Sequence, residues 1–198
     1  MRGALVTVEG IDGSGKSTLC AALSQQLGDR VVLMREPGGV ALAEKIRELV
    51  QDPAIDVAPP AEALLFAAAR AQLVAERIEP LLDQGQSILL DRFVDSSLAY
   101  QGAGRKLGIG PIAAINELAT GGLVPDLTLL LRVEPELAFS RLSGTDRIES
   151  AGQAFFADVS QAYDRLAAAE PERFVVIDGS LDEHQVLQSA ADAVKDVI

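Results

Sequence analysis

The sequence predicts an α/β fold in which a parallel sheet of five strands lies between two layers of helices. Three observations carry this expectation. Short β-rich apolar runs alternate with longer stretches of helical pattern along the 198 residues, as strands and crossover helices do in parallel sheets. Several of the short runs are apolar throughout instead of alternating, the mark of strands covered on both faces. Residues 10–17 read Gly-Ile-Asp-Gly-Ser-Gly-Lys-Ser, a complete G-x-x-x-x-G-K-[ST] phosphate-binding loop set between an apolar run and a helix-compatible run. The expected architecture is therefore a three-layer P-loop fold with a short lid.

Strands are expected at 4–8, 31–34, 87–90, 127–133 and 174–177, each an apolar run such as Ala-Leu-Val-Thr-Val at the first. Helices are expected at 16–27, 41–51, 61–83, 93–101, 110–120, 135–142, 153–169 and 182–197. They form one domain over 1–198, with the lid at about 141–152, where Arg141 and Arg147 flank a Gly-containing linker. Ligands of such sheets bind beyond the carboxyl ends of the strands. There the chain places the phosphate loop after strand one, Arg35-Glu36-Pro37-Gly38-Gly39 after strand two and Asp91-Arg92-Phe93 after strand three.

Composition narrows the function. The net charge is −12, and the 13 Arg and 4 Lys are scattered, which leaves no electrostatic footprint for a nucleic-acid backbone. The chain begins without an apolar signal region, and no stretch approaches 18 uninterrupted apolar residues, so a soluble cytoplasmic protein without a membrane span is expected. The single cysteine, Cys20, forms no internal disulfide and reads as a buried core residue. The single histidine, His184, reads as a surface helix position, and no histidine triad or metal cluster can be built from it.

The loop residues Gly10, Ile11, Asp12, Gly13, Ser14, Gly15, Lys16, Ser17 and Thr18 are candidates to bind a nucleoside triphosphate. Inward-turned backbone N–H groups cradle phosphate, Lys16 reaches the terminal phosphates, and the Ser17 hydroxyl takes a place on Mg²⁺. Asp91, at a strand tip, is the candidate second magnesium-side carboxylate; as an alternative it caps the next helix. Arg35 and Arg92 offer two guanidinium forks at neighbouring strand ends, suited to a second phosphate-bearing substrate. Phe66 and Arg70 are four apart on one helix face, and Arg70 interrupts an apolar run. A buried arginine requires a partner, with Glu62, Glu76 or a ligand as candidates. A guanine-reading Asn-Lys-x-Asp motif is absent, which removes the commonest nucleotide-switch family.

Six strings resemble bacterial thymidylate kinases in order and spacing: Gly10–Thr18 preceded by Glu9, Arg35–Gly39, Phe66–Arg70, Asp91–Gly102, Pro125–Thr128 and Asp146–Glu149. The resemblance covers nearly the whole chain. It implies ATP- and Mg²⁺-dependent phosphorylation of dTMP to dTDP on the way to dTTP, in a homodimer. Asp12 would accept from the sugar 3′-hydroxyl, and Arg92 with Arg35 would hold the acceptor phosphate. Phe66 would stack on thymine and Arg70 bond its carbonyl edge, while Ser97 and Gln101 line the base pocket and Tyr100 crowds the 2′ position. Lys16, Arg92 and the lid arginines Arg141 and Arg147 would act on the transferred phosphoryl group. One branch of the family carries Arg where Gly13 stands; the other draws that arginine from the lid, and this chain resembles the latter. Its lid is poorer in arginine than that branch's pattern, and Val40 stands where Thr is common. Another nucleoside-monophosphate kinase and a nucleotide-binding switch are the alternative readings.

Overall fold

The computed structural model describes residues 1–142 and 147–198. Five parallel strands, β1 (Leu5–Glu9), β2 (Val31–Arg35), β3 (Ser87–Asp91), β4 (Leu127–Arg132) and β5 (Phe174–Asp178), pair in the order β2-β3-β1-β4-β5. β1 is buried along its whole length and β4 along all but its last residue, as unbroken apolar runs require. β2 and β5 are the sheet edges and are only partly buried, leaving Leu33 and Val176 exposed. The one polar pair inside the central strands is satisfied: Thr7 and Thr128, aligned across β1 and β4, share a side-chain hydrogen bond of 2.9 Å.

Two apolar layers cover the sheet. On one face Val6, Val8, Leu129 and Leu131 pack with α1 (Lys16–Leu27) and α9 (Glu183–Val194) through Leu19, Leu23 and Ala190. On the other, Leu5, Ile88 and Leu90 meet α2 (Ala41–Gln51) and α3 (Pro59–Leu73). Further along that layer Ile11 and Leu130 pack with Phe156, Val159 and Tyr163 of α8 (Gln153–Ala169). Cys20 is buried in the first layer, and burial pushes its thiol pKa up; His184 is exposed on α9.

The helix expected over 61–83 is interrupted. It runs as α3, a π-helical turn at Val74–Ile78 and then α4 (Glu79–Asp83). The wider turn ends two residues before Pro80, which has no N–H for the carbonyl four residues back and whose ring would clash with it. The helix expected over 93–101 likewise begins as α5 (Val94–Ser97) and widens into a π-helical segment, Leu98–Gly104. Here α8 lies directly on the backbone, because a Cβ on Gly104 would come within 2.5 Å of the Phe155 ring. The remaining helices, α6 (Ile109–Thr120) and α7 (Pro135–Ser140), lie where the pattern put them, give or take two residues.

Strand register sets the site. Val8, Asp91 and Arg35 stand side by side across β1, β3 and β2, so the residues that follow each strand open onto one crevice.

Candidate active site

The phosphate loop bridges β1 and α1, and its residues face the positive end of the α1 dipole. Lys16 is 6% exposed, and its ammonium donates to the Ile11 carbonyl at 2.8 Å. Burial first and the Arg92 charge second lower its pKa to about 8. Gly13 has φ of 80°, and a Cβ there would lie 2.2 Å from the Ala138 carbonyl oxygen of α7. That contact excludes every larger residue while α7 stays in place.

Ser17 and Asp91, 74 residues apart in sequence, meet across the crevice, with Ser17 Oγ donating to Asp91 Oδ2 at 2.7 Å. Asp91 Oδ1 is buried without a hydrogen-bond partner among the described residues. One hydroxyl and one carboxylate with a free oxygen fit magnesium, which takes one or two protein ligands and completes its shell with water and phosphate oxygens. An all-protein metal cage does not fit, since no group of three His, Cys, Asp or Glu side chains gathers among the described residues.

Arg92 follows Asp91 in the left-handed region, with φ of 71°. This turn swings its side chain from the strand axis toward the phosphate loop. Its Nη2 donates to Asp12 Oδ1 at 2.5 Å and its Nη1 to the Gly10 carbonyl at 3.2 Å and Ser96 Oγ at 3.0 Å. The guanidinium lies 5.0 Å from the Tyr100 ring centre. Tyr100 in turn donates to Asp12 Oδ2 at 2.8 Å. Burial acts to raise the Asp12 pKa, but Arg92, Lys16 and the Tyr100 hydroxyl outweigh it and hold Asp12 ionised below its usual range.

Buried Glu9 braces the same turn. It accepts from the Phe93 N–H at 2.7 Å, Ser96 Oγ at 2.6 Å and Tyr163 at 2.8 Å. Burial, then the nearby Asp95 charge, raise its pKa to about 7. Asp95 points the other way into a bidentate pair with Arg173 at 2.7 and 3.0 Å. The Asp-Arg-Phe-Val-Asp-Ser-Ser string is thus divided between a face that builds the crevice and a face that anchors it.

From Lys16, Ser17 and Asp91 a cavity of about 280 Å³ runs past Arg92 to Phe66, Ser97 and Gln101. One end gathers an ammonium, a hydroxyl and a carboxylate; the other offers a ring and neutral polar groups. Arg35 stands at the mouth, its Nη2 donating to both carboxylate oxygens of Glu44 at 3.0 Å. One end thus suits phosphate and a divalent cation, and the other a flat ring with polar edges.

A family model described as thymidylate kinase matches residues 8–190. The chain belongs to the thymidylate kinase family. A thymidylate kinase of Bifidobacterium longum (strain DJO10A) is 47% identical over 205 residues that cover all of both chains. That of Deinococcus radiodurans is 44% identical over 191 residues, 93% of each chain. The solved structure of thymidylate kinase from Ehrlichia chaffeensis superposes with a TM-score of 0.81 at 30% identity, over 98% of this chain and 100% of that one. As a member of this family the protein is a nucleoside-monophosphate kinase acting on dTMP.

Most of the residues expected in the kinase site line the cavity; Gly10, Ile11 and Ser14 of the phosphate loop and Arg70, Arg141 and Arg147 do not. Arg70 lies behind the wall, 2% exposed, and its partner is neither Glu62 nor Glu76. It bonds Glu36 Oε2 at 2.8 Å, Ser97 Oγ at 2.9 Å, the Phe93 carbonyl at 2.9 Å and Asn116 Oδ1. Contact with a base carbonyl requires one of these N–H groups to exchange acceptors. Arg141 caps α7 and donates to the Gly13 carbonyl at 3.3 Å. Arg147 turns away from the loop and pairs with Glu62 at 2.7 Å, donating also to the Val50 carbonyl at 3.0 Å. Of the expected lid, 143–146 lie outside the described residues, as does Asp146 of the Asp146–Glu149 string.

Arg47 and Gln51 of the kinase line the cavity and went unmarked by sequence reasoning. Arg47 donates to the Pro37 carbonyl at 3.1 Å, beside Arg35. It sits among charged residues of an amphipathic helix with nothing local to set it apart. Its signal is spatial: α2 starts after the Gly38-Gly39 turn and lies across the strand-two loop.

Proposed function

We propose that the protein transfers the terminal phosphoryl group of ATP, with Mg²⁺, to the phosphate of dTMP, releasing ADP and dTDP. The observation that carries this is the single cavity with Lys16, Ser17 and Asp91 at one end and Phe66, Ser97 and Gln101 at the other. Gly10 to Thr18 would hold the ATP phosphates, and Ser17 and Asp91 would hold Mg²⁺, which would supply neutralising charge to the phosphates. Arg35 and Arg92 hold the acceptor phosphate, and Phe66, Arg70, Ser97, Tyr100 and Gln101 build the nucleoside pocket, with Asp12 beside the sugar.

Transfer is a displacement at phosphorus. An oxygen of the dTMP phosphate forms the new P–O bond as the bond to the ADP leaving group breaks. That oxygen is already anionic, so no general base is required. Lys16 and Arg92 meet charge that spreads over the equatorial oxygens, and their fixed positions supply alignment before reaction. Arg141 is the lid arginine that reaches the phosphate loop; its guanidinium stands beside residue 13, the very position where the other branch carries arginine. The bare glycine at 13 lets the Ala138 carbonyl of α7, and with it Arg141, approach the loop this closely.

The single domain with a lid over 141–152 is part of this reading, as are a cytoplasmic setting and a homodimer. No helix of the described residues is long and apolar enough to cross a membrane. Leu64 of α3 and Leu118 of α6 are exposed apolar side chains on two helices that pack together, which supports a second copy covering them. The test is a panel of nucleoside monophosphates with ATP and Mg²⁺, read by product chromatography. Phosphorylation of dTMP with little turnover of dCMP, AMP or UMP is expected; ATP consumption that ignores the acceptor refutes the reading.

A further inference from the structure

Glu62 of α3 is 1% exposed at its side chain and lies outside the cavity lining, yet it gathers one amide donor and two guanidinium groups from separate parts of the chain. Gln101 Nε2 donates to its Oε1 at 2.8 Å. Arg105 reaches it at 3.1 Å and Arg147 at 2.7 Å. Arg105 is itself stacked 4.7 Å over the Phe155 ring, which packs edge-on with Tyr100. Burial alone would raise the Glu62 pKa, and these donors outweigh it and hold it below its usual range.

An ionised carboxylate only accepts hydrogen bonds. The end of the Gln101 amide that meets Glu62 is therefore the NH₂, whichever way the amide is drawn. The two ends of a primary amide diverge from one carbon, and Gln101 lines the nucleoside end of the cavity. Fixing Nε2 on Glu62 turns Oε1 to the cavity. We propose that Glu62 is a positioning residue for base choice: by holding Gln101 Nε2 it makes the pocket present an acceptor, matched to the N3–H of thymine and opposed to the lone pair at N3 of cytosine. This rests on the reading of the cavity as the dTMP pocket. The π-helical widening at Leu98–Gly104, which carries Gln101, is the backbone feature that accompanies the contact with α3.

The test compares kcat/KM for dTMP and dCMP in the wild type, Glu62→Gln, Gln101→Met and the double variant, with thermal midpoints and KM for ATP measured in each. A Gln at 62 offers both donor and acceptor, so the Gln101 amide is free to rotate. Glu62→Gln should lower the dTMP to dCMP ratio by about tenfold, the usual worth of an opposed buried polar group, and leave KM for ATP unchanged. Added to Gln101→Met, it should change the ratio no further, because the two act through one amide. Glu62→Asp, which keeps an acceptor-only group, should retain most of the ratio. A folded Glu62→Gln with the wild-type ratio, or an equal drop in the Gln101→Met background, overturns the proposal. Wild-type protein that uses dCMP as well as dTMP fails earlier, and refutes the pocket reading itself. Should Glu62→Gln not fold, the Gln101 side-chain ¹⁵N–¹H signals of the wild type decide: they should move little on adding dTMP, and a large shift from a new bond between NH₂ and base overturns the assignment.

Discussion

The Arg141 guanidinium donates to the carbonyl of Gly13, 128 residues earlier in the chain, at 3.3 Å. Both partners are constrained by α7. Its Ala138 carbonyl occupies the space in which a Cβ at position 13 would lie, and the residue that caps its C-terminus is Arg141. A phosphate loop without its own arginine and a helix that delivers one are thus two sides of one packing contact.

From this relationship Arg141→Ala should lower kcat far more than it raises KM, by about 10²–10³ for loss of one well-placed donor to developing charge. Arg147→Ala should behave differently. It removes a partner of buried Glu62, so it should reduce the thermal midpoint by an amount equivalent to about 1–3 kcal/mol and affect kcat less. Steady-state kinetics and calorimetry on the two variants check the contrast; equal kcat losses would refute the division of roles.

Lys16 carries a pH signature. Its pKa of about 8 in the free protein, against an ordinary 10.5, means that the ammonium is lost as pH rises through 8, so kcat/KM for ATP should decline on that limb. Stability moves the opposite way. Between pH 8 and 10.5 the unfolded chain keeps a proton that the native chain has released, so the contribution of this site to stability rises with pH. Lys16→Met should abolish transfer, keep the fold and remove both dependences, read by a pH–rate profile and by thermal melts across that window.

Asp91→Asn keeps the size of the side chain and an acceptor for Ser17, while removing the charge. The magnesium concentration for half-maximal activity should rise by about ten- to a hundredfold, the worth of a charge-assisted contact, with little change in melting. A magnesium titration at saturating dTMP checks this, and an unchanged midpoint would place the metal elsewhere.

Tyr100 divides into a ring and a hydroxyl with separate duties. The ring is wedged edge-on among Phe155, Phe156 and Tyr163, while the hydroxyl is engaged with Asp12. Tyr100→Phe should keep discrimination against ribonucleotides and raise KM for dTMP, because Asp12 loses a donor. Tyr100→Ala should narrow the deoxy to ribo preference, which a steric contact of about 1–3 kcal/mol sets at roughly ten- to two-hundredfold. Assays with dTMP and its ribose counterpart distinguish the two.

The sequence by itself determined what depends on local pattern. Five apolar runs became the five strands, with ends moved by a residue or so; in the three central strands burial on two faces demands apolar residues whatever the neighbours are. The phosphate loop and the strand-end residues Arg35, Asp91 and Arg92 followed, since a parallel sheet sends those positions to one edge. Tertiary structure alone decided which charges meet. Arg70 found Glu36 across 34 residues, Glu62 found Arg105 and Arg147, and Arg47 came to the cavity from a helix whose pattern marks only its buried face. A guanidinium reads the same in sequence whether it lies in solvent, in a brace or over a phosphate. Its role is set by the carboxylate or carbonyl within about 3 Å of it, at hydrogen-bond distance, and chain connectivity over tens of residues carries no trace of that pairing.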